Sequence, residues 1–246
     1  MRIALVLCCV LLAGCSTPAT HIPLKEDIKT KIKSSDVVFV HTQTQLQETY
    51  EPSKASKYLL GGLIPGLIDA HVNGERAEEA QKIATPIHTV MANVDMDSKS
   101  QQTIISVIER SSWLGNCRRD YLSKYDKDMF KQKVDKTDRD VVLFVNCGYV
   151  LTPKFDALQG AVVLEMFPSS KFSAIKDGSS DVLIYRTLVV SKQPLPGASD
   201  NIETNVKLWS QNNGLLIKRA LDAVIVDLAS KLTAELSTPT QEKPDV

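Results

Sequence analysis

The chain has 246 residues, of which 43% are hydrophobic and 24% are charged. This composition is typical of a globular protein and excludes collagen-like and wholly disordered chains. The 29 basic and 29 acidic side chains give a formal net charge of zero, which argues against a nucleic-acid partner because such proteins need a basic excess to displace counterions from phosphates.

The first fifteen residues have the organisation of a secretory signal. A cationic start is followed by the apolar run 3–12. As a helix this run rises only about 15 Å, roughly half of a bilayer core, so it is a signal core and not a membrane span. It ends in Leu12-Ala13-Gly14-Cys15, which resembles the lipobox of bacterial lipoproteins.

That resemblance implies a signal peptide over residues 1–14, cleavage before Cys15, and lipidation of Cys15, whose thiol forms a thioether with diacylglycerol and which carries acyl chains such as palmitate. Each buried CH₂ group contributes about 0.8 kcal/mol, so several acyl chains anchor a protein essentially permanently. Ser16 follows where Asp would signal retention, which by the enterobacterial sorting rule implies the outer membrane, with the domain facing the periplasm. The alternative is an ordinary secretory signal in which Cys15 has no role.

Two cysteines remain once the signal and the lipid site are set aside, Cys117 and Cys147. In an oxidising compartment they could form a disulfide, which would close a loop of about 31 residues and stabilise the fold by roughly 3 to 4 kcal/mol. The alternative is two separate cysteines that act as small apolar residues. Neither belongs to a C-x-x-C pair, which argues against redox catalysis and a structural zinc site.

The mature chain is predicted to contain one domain. We expect the lipid anchor and tether over residues 15–34, the periplasmic domain over 35–237, and a flexible tail over 238–246. In chain order the patterns predict a strand at 37–40, helices at 65–92 and 104–115, a strand at 118–125, a helix at 126–134, strands at 141–150, 161–167 and 182–191, and a long helix at 205–236.

Because three β-rich runs follow one another late in the chain, antiparallel neighbours are expected. The predicted fold class is therefore α+β, with a mixed, mostly antiparallel sheet and helices packed on one face. This order of elements is similar to that of the TolB N-terminal, CsgG-like and transport-auxiliary lipoprotein domains. The similarity lies in the order of elements and not in a residue motif.

Residues 64–74 resemble the PGLID-x-H-x-H metal signature of amidohydrolases. Here Asn73 stands where that family has its second histidine, and a neutral amide is a poor replacement for imidazole. No histidine follows His88, although the family needs further histidine ligands. We therefore expect no catalytic residue, no metal and no cofactor.

The apolar stretch 58–70 overlaps this motif. It is interpreted either as core or as a contact surface for another subunit or the membrane face, and the candidate partner residues are Leu63, Ile64 and Leu67. Glu165 lies in an apolar run, where either burial raises its pKa or it acts as an edge-strand charge. Trp113 and Trp209 are expected to anchor the core rather than to stack on a ligand, and the alternative for Trp209, at the start of the last helix, is a partly exposed position.

Together these features favour a lipid-anchored envelope protein with a non-enzymatic, accessory or protein-binding role. Its expected partners are the membrane, through the lipid on Cys15, and another envelope protein. The alternatives are a periplasmic hydrolase and a small-ligand or transport-auxiliary lipoprotein.

Overall fold

The computed structural model describes residues 21–40, 46–48, 74–123, 126–175 and 182–237. The lipobox with Cys15, the candidate partner residues Leu63, Ile64 and Leu67, and the tail 238–246 lie outside the described residues. Among those that are described, no helix has the length and hydropathy needed to cross a membrane.

A mixed sheet forms the centre of the domain. Its strands are β1 Ser34–Val40, β2 Gln47–Glu48, β3 Asn116–Leu122, β4 Val141–Leu151, β5 Ala157–Pro168 and β6 Tyr185–Pro194. Their order across the sheet is β3-β1-β4-β5-β6, and β2 pairs with β4 beyond the end of β1. The strands β3, β1 and β4 are parallel, whereas the two longest ladders, β4–β5 and β5–β6, are antiparallel. The predicted α+β class and mostly antiparallel sheet are confirmed.

The helices of the described residues are α1 Glu26–Lys29, α2 Gly74–Met91, α3 Met96–Glu109, α4 Lys127–Lys136 and α5 Ile202–Ser237, with a short 3₁₀ turn at Ser112–Leu114. Asp95 begins α3 and Asp126 begins α4, where each carboxylate accepts a backbone N–H of the first turn. The helix α5 is broken into two arms at residues 211–214, where Asn212, Asn213 and Gly214 have positive φ.

Alternation along the strands sends side chains to two separate cores. Val37 and Phe39 pack with α2, α3 and α5 on one face of the sheet, whereas Val38 and Val40 point to the other face. There α4 packs through Met129, Phe130 and Val134, and the Phe130 ring stacks on Phe144 with 4.1 Å between ring centres. The long helices therefore share one face of the sheet, as predicted. The shorter helix α4 differs from the prediction, because it packs on the opposite face.

The N-terminal segment of the described chain belongs to the domain. Ile22 pairs with Arg186 at the free edge of β6, and Leu24 and Ile32 are buried in the main core. The predicted tether up to residue 34 is therefore too long, because the side chains at 24 and 32 are buried in the main core and the backbone at 22 pairs with β6.

Candidate functional site

The chain enters the domain beside the end of α5. Ile22 and Arg186 exchange backbone hydrogen bonds of 2.8 and 2.9 Å, so the backbone is fixed there. His21 Nδ1 lies 3.8 Å from Glu235 Oε1 in the last turns of α5. The described chain therefore begins at the end of the sheet where β6 begins.

A pocket of about 620 Å³ lies at the same end of the molecule. Trp113 forms one wall, and its Nε1–H donates to the Leu236 carbonyl at 3.0 Å. Lys29 Nζ lies 5.6 Å from the centre of the Trp113 ring, and the Tyr185 ring meets it edge-on at 6.1 Å. Trp113 thus anchors the core as expected and also lines a pocket, beside Glu26 of α1.

Strand β3 is one edge of the sheet. The Asn116 N–H donates to the Lys33 carbonyl at 2.9 Å, so the backbone groups of even-numbered residues in β3 face β1. The Tyr121 N–H instead donates to Asp120 Oδ1 at 2.7 Å. It follows that the N–H and C=O groups of residues 117, 119 and 121 point away from β1, and no described strand lies on that side.

Three adjacent side chains of β3 are charged, and each forms an ion pair with an opposite charge. Arg118 donates two hydrogen bonds, of 2.7 and 2.8 Å, to the buried carboxylate of Asp36 in β1. Asp36 also accepts a hydrogen bond from the Thr137 hydroxyl at 2.5 Å. The hydrogen bond to Asp36 holds the pKa of Arg118 above its usual range. Arg118 also lies 2.9 Å from Asp138, so it joins β3, β1 and the end of α4.

The neighbouring charges of β3 are held in the same way. Arg119 makes two bonds of 2.6 Å to Glu109 at the end of α3. Asp120 accepts from Lys133 of α4; partial burial raises the pKa of Asp120, but this hydrogen bond and the nearby charges lower it overall. A groove of about 320 Å³ runs between β3 and α4. Sequence reasoning assigned no role to this strand, although its run of adjacent charges is the pattern of an edge strand.

Cys117 and Cys147 form no disulfide, which corrects one of the two sequence-based alternatives. In the register of the sheet, Cys117 of β3 pairs with Ser35 of β1, and Ser35 pairs with Val141 of β4. Cys147 lies six residues further along β4, about 20 Å at 3.3 Å per residue. A disulfide requires Cα atoms within about 7 Å, so the register keeps these two residues apart. Burial raises the pKa of the Cys147 thiol, which favours the protonated form.

Glu165 lies opposite Arg186 in the β5–β6 ladder, with 3.4 Å between Oε1 and Nε. Because β5 is an interior strand, the interpretation of Glu165 as an edge-strand charge is wrong. Burial raises the pKa of this carboxyl, and the positive charge of Arg186 offsets part of that effect. The pair joins the interior strand β5 to the edge strand β6.

Glu165→Gln is expected to change stability in a pH-dependent way. A carboxyl whose pKa is raised in the folded state stabilises the fold below the unfolded pKa of about 4.3, and this contribution is lost as pH rises through the folded value. The free energy of unfolding of the Gln variant relative to wild type should therefore increase between about pH 4 and pH 7. Urea denaturation at several pH values measures it, and a flat or falling difference would contradict the assignment.

The remaining histidine of interest is His88, which lies in α2 and hydrogen-bonds Glu48 of β2. The pair is partly buried and holds the short strand β2 against the helix. In the described ranges no three His, Cys, Asp or Glu side chains converge in a way that could hold a metal ion. Asn73 and His71 of the amidohydrolase-like motif lie outside those ranges.

Comparison with known proteins gives no family for this chain. No family model and no curated protein matches it. Three chains among the solved structures match, and one of them is the hypothetical protein CT253 from Chlamydia trachomatis. That match has 10% sequence identity, covers 82% of this chain and 99% of that one, and has a TM-score of 0.27.

Proposed function

We propose that this protein is a lipoprotein of the bacterial cell envelope, anchored by acyl chains on Cys15, whose periplasmic domain is a non-enzymatic subunit that binds another protein. The observation that carries the anchor is Leu12-Ala13-Gly14-Cys15 directly after a ten-residue apolar run. Small residues at 13 and 14 let a peptidase approach the backbone, and the thiol at 15 supplies the sulfur that forms a thioether with diacylglycerol.

The point at which the chain enters the domain is consistent with a short anchor. Ile22 lies seven positions after Cys15, and an extended chain spans at most about 3.6 Å per position, or about 25 Å in all. Since Ile22 is fixed on β6, the proposed anchor would keep the Trp113 pocket and the end of α5 close to the bilayer surface.

The free edge of β3 supports the protein-binding part of the proposal. Its outward N–H and C=O groups are a template on which a second extended chain can add a strand, and this is a general mode of protein recognition. Tyr121 adds an aromatic ring that is 53% exposed, and aromatic side chains are enriched at protein interfaces.

Cys15→Ser is expected to abolish lipid labelling and to leave the protein either unprocessed or absent from the membrane fraction, because the serine hydroxyl does not replace the thiol that forms the thioether with diacylglycerol. Labelling with a radioactive or clickable fatty acid, followed by fractionation, measures both effects. Cys9→Ala keeps the apolar signal core and should leave labelling unchanged. Full lipid labelling of the Cys15→Ser variant would overturn the anchor.

A further inference from the structure

The backbone of β3 limits how a second strand can pair with it. In an antiparallel pair, two facing residues either both exchange hydrogen bonds or both do not. Because the outward groups of β3 belong to residues 117, 119 and 121, a copy of the same strand must place odd-numbered residues opposite odd-numbered ones. A two-fold axis through the middle of the strand can therefore pass only through residue 118, 119 or 120.

The charges of β3 distinguish these three registers. An axis at Arg118 places that guanidinium opposite its own copy, and an axis at Asp120 does the same for the carboxylate. Both pairs would occupy the non-hydrogen-bonded sites, where Cα atoms are only about 4.5 Å apart and like charges are destabilising. An axis at Arg119 instead places Arg118 opposite Asp120 of the copy, on both sides of the axis.

We infer that the free edge of β3 binds the same edge of a second copy of this chain, as an antiparallel strand pair centred on Arg119. This inference rests on the proposed protein-binding function and names its partner. Arg119 faces its copy at the wider hydrogen-bonded site, and each Arg119 is already neutralised by two bonds to Glu109. Tyr121 lies opposite Cys117 of the copy, so the exposed ring gains an apolar neighbour.

The groups that form the cross-strand pairs are accessible in the single chain. The Arg118 side chain is 46% exposed and that of Asp120 is 38% exposed, although each has a partner within its own chain. Pairing requires the Asp120 carboxylate to release the Tyr121 N–H, which then donates to the Cys117 carbonyl of the copy. The Asp120 carboxylate then accepts a hydrogen bond from Arg118 of the copy. The Tyr121 N–H and the Asp120 carboxylate therefore both keep a hydrogen-bond partner.

The symmetry of the pair agrees with the proposed anchor. The two-fold axis of such a strand pair is perpendicular to the sheet, and the two sheets continue into one another. When this axis lies along the membrane normal, both copies of the anchor reach the same bilayer.

Photo-cross-linking in intact cells tests this inference on the full chain. A photoreactive amino acid at Tyr121 is expected to give an adduct of two copies, whereas the same amino acid at Val226, which is 66% exposed on α5, should give none. Mass spectrometry identifies the two chains in the adduct.

Proline at position 119 distinguishes backbone strand pairing from other kinds of contact between two copies. Arg119→Pro removes an N–H that points away from β1, and an edge strand tolerates proline at such a position. Arg119→Ala loses the same bonds to Glu109 but keeps the N–H. We expect the adduct to fall about tenfold with proline, since each copy loses an intermolecular bond and gains a steric block, and to persist with alanine.

If Arg119→Pro does not fold, Cys117→Pro with Cys117→Ala repeats the comparison at another outward position. An adduct that survives proline in a folded variant would overturn the strand pairing. An adduct with a different envelope protein would overturn self-association and leave the proposed function in place. The absence of any adduct at Tyr121 in protein that carries lipid would overturn the inference and the protein-binding proposal, but not the anchor.

Discussion

Gly115→Ala is expected to lower the free energy of unfolding by about 3 kcal/mol or more, because it combines backbone strain with a clash. Gly115 joins the 3₁₀ turn to β3 with φ 64° and ψ −141°, close to a region that glycine almost alone adopts. A Cβ there would lie 2.1 Å from the Lys33 carbonyl oxygen. That oxygen accepts the Asn116 N–H, so it cannot move without disturbing the start of the β1–β3 ladder.

Gly197→Ala is the matched control for this prediction. Gly197 has φ 74°, but a Cβ at this position would meet no atom within 4 Å. Its substitution should therefore cost only the strain of a left-handed conformation, about 1 to 2 kcal/mol. Urea denaturation of the mature chain measures both variants. Equal losses for the two glycines would show that the Lys33 carbonyl exerts no constraint on β3.

Trp209→Ala is expected to destabilise the domain by about 3 to 5 kcal/mol, the usual cost of removing a large buried aromatic side chain. The sequence left a partly exposed position open for Trp209, but it is fully buried. Its Nε1–H donates to the Phe155 carbonyl at 2.7 Å, and Phe155 itself has an unusual φ of 54°. The indole of this α5 residue therefore fills the core and also fixes the turn between β4 and β5.

Trp209→Phe separates these two contributions. Phenylalanine retains much of the apolar volume but leaves the Phe155 carbonyl without its donor, at a cost of about 1 to 3 kcal/mol. Leu215→Ala, at a side chain that is 43% exposed, should change stability by only about 0.5 kcal/mol. Thermal and urea denaturation of all three variants provide the comparison. A Trp209→Ala variant as stable as Leu215→Ala would contradict the role of the indole in the core.

The late strands were predictable because their patterns are local. The apolar runs predicted at 141–150, 161–167 and 182–191 correspond to β4, β5 and β6 within a few residues at each end. The long helix at 205–236 was also predicted, but its break at 211–214 was not, although Asn-Asn-Gly is a sequence that tolerates positive φ. The two-residue β2 and the four-residue α1 lack the length over which periodicity can be recognised.

The candidate interaction edge could not be predicted in the same way. The charges of β3 were visible, but whether β3 lay at an edge depended on β1 pairing with it on one side and with β4 on the other. These pairings join residues about 80 and 105 positions apart, and packing of the whole sheet decides them. The same long-range register determined that Cys117 and Cys147 are far apart and that Glu165 lies in an interior strand.

The sequence alone was sufficient for features that depend on neighbours along the chain. The α+β class and the principal strands follow from local periodicity and residue type, and the proposal of a signal core and a lipobox at residues 12–15 has the same local basis. Only the tertiary structure decided which strand is an edge, which backbone groups point outward, and that residues from Ile22 onward belong to the domain. These properties follow from contacts between distant segments, where burial of apolar side chains and satisfaction of backbone hydrogen bonds select one arrangement.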